Sequence, residues 1–139
     1  MTFTRRVSFE LGAEFGHKDV TPEVKTLVQE SGVHNGIAVV QLVGSTGAVT
    51  TIEYESGALA DLHRAVEQLA PADGQYAHNE RWHDGNGFSH VRSALLKTSA
   101  SVPILDGELQ LGTWQQLIAI NMDNRDRKRE LVVVIVGDS

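Results

Sequence analysis

Three histidines, His78, His83 and His90, fall close together in the chain with Asp84 among them. Imidazole is the commonest protein ligand for zinc and similar ions, and a carboxylate can complete such a set. A catalytic zinc centre takes three protein ligands and keeps one position open. The spacing matches no standard zinc motif, so on the residues alone these read as polar loop histidines. Glu53 has the chemistry of a general base or of a partner that orients a histidine, and equally of a surface carboxylate beside Glu55. Ser45, Thr46 and Gly47 make a small polar turn whose hydroxyls and N–H groups suit a phosphate, although the same residues are ordinary turn formers. Lys97, Thr98 and Ser99 offer similar groups. Asn86, Arg92 and Gln115 are fitted to polar substrate contacts, while Trp82 and Trp114 can cover a pocket or pack a core. His17, His34 and His63 read as surface residues.

Other chemistries drop out. The absence of cysteine removes disulfides, thiolate metal sites and cysteine nucleophiles, and suits a reducing cytoplasm. No Walker A sequence, dinucleotide fingerprint or ordered serine triad occurs. The net charge of −6 argues against a nucleic-acid partner. One basic cluster, Arg125, Arg127, Lys128 and Arg129, is interleaved with Asp123, Asp126 and Glu130, and reads as a solvated hairpin turn. The longest apolar stretch, Leu131 to Val136, is too short to span a membrane, and the N-terminus has no signal-peptide pattern. A soluble, cytoplasmic protein is expected.

The positioning elements follow from periodicity. At 139 residues, with 41% apolar and 22% charged residues, one domain over 1–139 is expected. Val7, Phe9 and Leu11 alternate with polar or small residues as a half-buried strand. Thr21 as N-cap, Pro22, and Val24, Leu27 and Val28 on one face predict a helix ended by Gly32. Gly36 to Val43 reads as a central strand covered on both faces, followed by a turn and a second strand from Ala48 to Tyr54. A second helix is predicted from about Ala58 to Ala70, where Pro71 stops it. Residues 71–88 form a long polar loop of the kind that often carries function, followed by a short helix over Ser89 to Lys97. Asp106-Gly107 signals a hairpin between Val102–Leu105 and Glu108–Leu111. Trp114–Asn121 and Leu131–Val136 are predicted to pair as a further hairpin. The sum is an α+β layered fold with a mixed, largely antiparallel sheet and two to three helices.

The chain resembles the YjbQ-like family over nearly its whole length. The residues that carry this are Asp19-Val20-Thr21, Ser31-Gly32-Val33 and Gly36, then Ser45 to Thr50 with Glu53. They continue with Tyr76, His78-Asn79, Asp84, Asn86 and His90, then Ser93 to Leu96, Ser99, Pro103-Ile104 and Asp106-Gly107. Leu111-Gly112-Thr113-Trp114-Gln115 is the most telling part. The resemblance implies a homotrimer with a small metal-binding pocket holding zinc or magnesium. It also implies weak thiamine-phosphate synthase activity, in which a thiazole phosphate joins an aminopyrimidine pyrophosphate. It points to His78 and His90 as metal and catalytic residues, to Glu53 as catalytic, and to Ser45, Thr46, Asn86 and Gln115 as substrate contacts. The alternative on the same scaffold is a non-catalytic protein that binds a small phosphorylated molecule.

One departure bears on the site. Where the family usually opens its second hairpin with histidine, this chain has Gly44, and Phe88 stands where some members carry another. Two histidines hold a divalent ion weakly. Either His83 or Asp84 supplies a third ligand or the metal site is weakened, and the weakened site is the favoured expectation. On that basis Gly44→His is expected to restore metal binding.

Overall fold

The structure is a computed structural model that describes residues 1–139. It has eight strands and four helices, and every strand pairing is antiparallel. Strands β1 (Thr2–Leu11), β8 (Arg127–Asp138), β3 (Asn35–Leu42), β5 (Ser99–Leu105) and β6 (Glu108–Leu109) lie in that order in one sheet. Strands β2 (Gly16–Asp19), β7 (Gln116–Asn121) and β4 (Gly47–Ile52) form a second. The α+β class is as expected, but the sheet is not mixed. The strands predicted as hairpin partners, β3 with β4 and β7 with β8, are divided between the two sheets.

Burial explains the division. The main core gathers Ala38, Val40 and Leu42 of β3, Leu131, Val133 and Ile135 of β8, and Leu117 and Ala119 of β7. Val24 and Val28 of helix α1 (Thr21–Ser31) complete it. The opposite face of β7 presents Ile118 and Ile120, with Met122 just beyond the strand, to Leu59 of helix α2 (Ser56–Leu69). Strand β7 is thus buried on both faces, which is the environment its unbroken apolar run suits. Strand β3 is covered on one face only: Ile37 is exposed and Val39 and Gln41 are half-buried. The same outer row carries Val132, Val134 and Val136 of β8.

The local signals held in part. Gly32 closes α1 at φ 71°. Thr21 does not cap that helix; it is buried, and its hydroxyl accepts a 2.8 Å hydrogen bond from the Leu117 N–H across in β7. Glu55 caps α2 instead, accepting from the N–H groups of Gly57 and Ala58. Residues 71–88 are not wholly loop. Ala77–Trp82 is a short helix, α3, and helix α4 (Gly87–Leu96) starts two residues earlier than predicted. The Asp106-Gly107 hairpin forms as expected, pairing Leu105 with Glu108.

Candidate functional site

The β3–β4 turn, helix α3, the 83–86 link, the first turn of α4 and the start of β8 converge on an open cleft of about 510 Å³. It is lined by Gly44, Ser45 and Thr46 from the turn, His78 and Trp82 from α3, Asp84 and Asn86 from the link, and His90 from α4. Arg127, Lys128 and Arg129 of β8 complete it. The expected residues Ser45, Thr46, His78, Asn86 and His90 are therefore together. Glu53 and Gln115 are not. Glu53 is exposed beyond the end of β4, and Gln115 bonds Thr51 (3.2 Å) and the Gly112 N–H (3.0 Å) away from the cleft.

Within the cleft the rings of His78 and His90 lie 4.3 Å apart, centroid to centroid. His78 Nε2 is 3.3 Å from Asp84 Oδ1. Asn86 is buried, and with its amide nitrogen turned toward the cleft it donates to Asp84 at 2.9 and 3.1 Å and lies 3.0 Å from His78 Nε2. That orientation gives the nitrogen closer acceptors than the 3.4 Å contact to Asp123 Oδ1 that it replaces, so we adopt it. Burial, and then the neighbouring His78, lowers the pKa of His90, which favours its neutral form; Asp123 and Asp84 act in the opposite sense.

Behind this layer lies a buried polar network. Asp123 is fully buried. It accepts from Thr46 Oγ1 (3.0 Å), from the Asn124 N–H (2.8 Å) and from Arg127 Nε (3.0 Å) and Nη2 (2.9 Å). Burial alone would raise its pKa, but these hydrogen bonds outweigh burial and hold its carboxyl below the ordinary value. Arg129 is 5% exposed. Its Nη2 donates to Thr46 Oγ1 (2.7 Å) and Asn121 Oδ1 (2.6 Å). Its Nε has no partner. Burial pulls its pKa downward, against the influence of Asp123.

The basic run at 125–129 is solvated only in part: Arg125, Asp126 and Lys128 are exposed, while Arg129 is buried. The alternation of Leu131, Val133 and Ile135, carried two residues back, puts Arg129 on the inward face of β8, and burial alternates along the strand in just that way. That was the signal available in the sequence.

The remaining candidates have structural surroundings. His83 closes α3 with φ 58° and faces a separate shallow cleft with Tyr76 and Glu80. Arg92 is not a cleft residue. It is buried, donates to the Ala70 carbonyl (2.9 Å) and to Glu67, and lies over the Phe88 ring, so it ties α2 to α4. His63 stacks on Phe15, and His17 meets the Tyr54 hydroxyl at 3.3 Å. These two form a small half-buried cluster instead of isolated surface groups. Lys97, Thr98 and Ser99 lie away from the cleft, and Trp114 is exposed.

The cleft does not suit the metal that the resemblance implies. Nowhere in the chain do three or more His, Asp or Glu side chains gather in a metal-holding arrangement. His83 is turned elsewhere, and Asp84 is engaged by Asn86 and His78. A Cβ on Gly44 would lie 3.1 Å from Arg129 Nη1, so a guanidinium borders the position where a third imidazole would start. Three fixed cations in the lining, against one carboxylate, add a repulsive term for any divalent ion.

The comparisons with known proteins agree with one another. The family model described as UPF0047 protein YjbQ-like matches residues 5–138. A UPF0047 protein of Methanothermobacter thermautotrophicus is 37% identical over 119 residues, covering 86% of this chain and 81% of that protein. One from Synechocystis is also 37% identical over 119 residues, covering 84% and 80%. Among solved structures, a YbjQ-like protein of unknown function from Sulfolobus solfataricus P2 superposes with a TM-score of 0.88 at 25% identity, covering 99% of this chain and all of that one. A hypothetical protein from Aeropyrum pernix K1 gives 0.85 at 29% identity, covering 96% and 99%. With its family-model match running from strand β1 to strand β8, the chain belongs to the YjbQ-like UPF0047 family.

Proposed function

We propose that the cleft binds a small phosphorylated molecule. The observation that carries this reading is Arg129, a nearly buried cation in the cleft wall that no carboxylate contacts, with Lys128 exposed beside it. The N–H groups of Gly44, Ser45 and Thr46 make no hydrogen bond within the chain, which suits the same turn to phosphate oxygens. A saturating anion should stabilise the fold by mass action, by about 2.7 kcal/mol at a hundredfold excess over Kd. Thermal unfolding with and without inorganic pyrophosphate reads this directly. The expected result is a rise in Tm that is smaller in Lys128→Ala; an unchanged Tm at high pyrophosphate overturns the reading.

A second reading is a transferase of the thiamine-phosphate synthase type. What favours it is the His78–Asp84 contact, a carboxylate-oriented imidazole suited to proton transfer, beside cations able to receive a departing pyrophosphate. Glu53 does not line the cleft and so takes no part in that chemistry within one chain. Incubation of the purified protein with thiazole phosphate and aminopyrimidine pyrophosphate tests it. Thiamine phosphate that disappears in His78→Ala supports transfer; none leaves the binding role alone.

We also propose that the chain self-associates through the outer face of the five-stranded sheet, as a homotrimer. The support is the apolar row Ile37, Val39, Val132, Val134 and Val136, which no element of the chain covers. No helix is long and apolar enough to cross a membrane. Sedimentation equilibrium should return three times the 15.1 kDa chain mass, and a monomer would refute the proposal.

A further inference from the structure

We propose that Arg129 is the resident cation of this cleft, so that the chain holds its anionic ligand without a divalent metal. The inference rests on the anion-binding reading above and goes further, because it specifies what supplies the positive charge.

The argument begins with what Arg129 touches. Both of its hydrogen-bond partners, Thr46 and Asn121, are neutral. The nearby carboxylate, Asp123, is already engaged by both Nε and Nη2 of Arg127. Arg129 Nε is buried and unpartnered, and Nη1 makes no hydrogen bond in the chain. A guanidinium has five N–H donors, and here only those of Nη2 are used. Burying a cation without a contacting anion is costly, and a ligand that brings two or more oxygens to Nη1 and its neighbours offsets the cost.

Gly44 is the second observation. It carries no side chain, its φ is 142°, and a Cβ there would crowd Arg129 Nη1 at 3.1 Å. The lack of a side chain at this position leaves Nη1 beside the cleft, where a larger residue would press on it. The ligand class that fits is a phosphate monoester or diphosphate, whose oxygens can accept from the two free N–H groups of Nη1 without a metal bridge.

Removing Arg129 should not unravel the network. Thr46 Oγ1 still donates to Asp123, and Asn121 Oδ1 still accepts from the Asp123 N–H at 3.2 Å. Arg129→Met, which fills similar volume without charge, should therefore fold, as circular dichroism would show. The test is calorimetric titration of inorganic pyrophosphate into protein stripped with chelator and dialysed, before and after addition of zinc. The stripped wild type should bind, zinc should not tighten binding, and Arg129→Met should bind about tenfold or more weakly. Binding seen only after zinc addition overturns this inference and leaves the anion reading standing. No binding in either state overturns both. A folded Arg129→Met that binds as tightly as wild type also overturns the inference. Should Arg129→Met not fold, Arg129→Lys replaces it. Its single, shorter-reaching ammonium cannot hold Thr46 and Asn121 and also serve the ligand as Nη1 does, so affinity should fall, and unchanged affinity contradicts the proposal.

Discussion

Asp123→Ala should lower the unfolding free energy by about 3 kcal/mol, measured by urea denaturation, because it removes the one carboxylate that joins β7, β8 and the β3–β4 turn. The carboxylate is fully buried and accepts from Thr46, Asn124 and Arg127, so truncation orphans donors from three segments at once. Arg127 is about one-third exposed and can turn toward solvent, which keeps the loss toward the lower end of what a broken buried pair costs. Arg129 would at the same time lose its nearest compensating charge. The pH dependence has a definite sign. The folded carboxyl titrates below its ordinary value, so its contribution is fully present above about pH 4 and drains away as the pH falls through the folded pKa. Asp123→Asn should remove that component, giving a flatter stability profile below pH 4 than the wild type. A variant as stable as wild type, with the same acid profile, would show that the network is not structural.

Gly44→His should not create a metal site. On sequence grounds this change restores a missing ligand, and the resemblance makes that expectation reasonable. The backbone at Gly44 has φ 142°, a region that side chains rarely adopt, which costs about 1–3 kcal/mol. The new Cβ would also meet Arg129 Nη1 at 3.1 Å. An imidazole placed there would sit against a cation and in a lining already carrying Lys128 and Arg127. The expected result is a lower Tm, weaker pyrophosphate binding and no stoichiometric zinc by elemental analysis. A variant that binds one zinc per chain with unchanged stability would contradict this. The double variant Gly44→His with Arg129→Met removes the obstruction and is the better route to a metal centre.

Much of the local structure was legible from local pattern. Helix α1 announced itself through Pro22, its apolar face and Gly32, and the Asp106-Gly107 hairpin through its turn residues. Sheet membership was not legible. The apolar composition of β3, β4, β7 and β8 marks them as strands but not which strand lies alongside, and here sequence neighbours fall in different sheets. The coverage of β7 depends on α2 packing on its far face, a long-range fact. Of the residues expected at the site, Ser45, Thr46, His78, Asn86 and His90 line one cleft. Glu53 and Gln115 followed from resemblance, and the chain does not bring them to the cleft. Arg129 and Asp123 were missed because a run of mixed charge at a strand end usually faces solvent. Charge summed over the chain, −6, also hides a cleft whose lining is locally cationic. Asn121 shows the same limit: its bonds to Gly12 and Arg125 carbonyls join segments that no local pattern connects.

The most direct test of the central claim is a diffraction experiment on crystals grown with pyrophosphate and without added metal. The account predicts anion density in the cleft, within hydrogen-bond distance of Arg129 Nη1 and of the Gly44–Thr46 turn. A well-ordered cleft with no anion at high pyrophosphate, or density only around a metal held by His78 and His90, would contradict it.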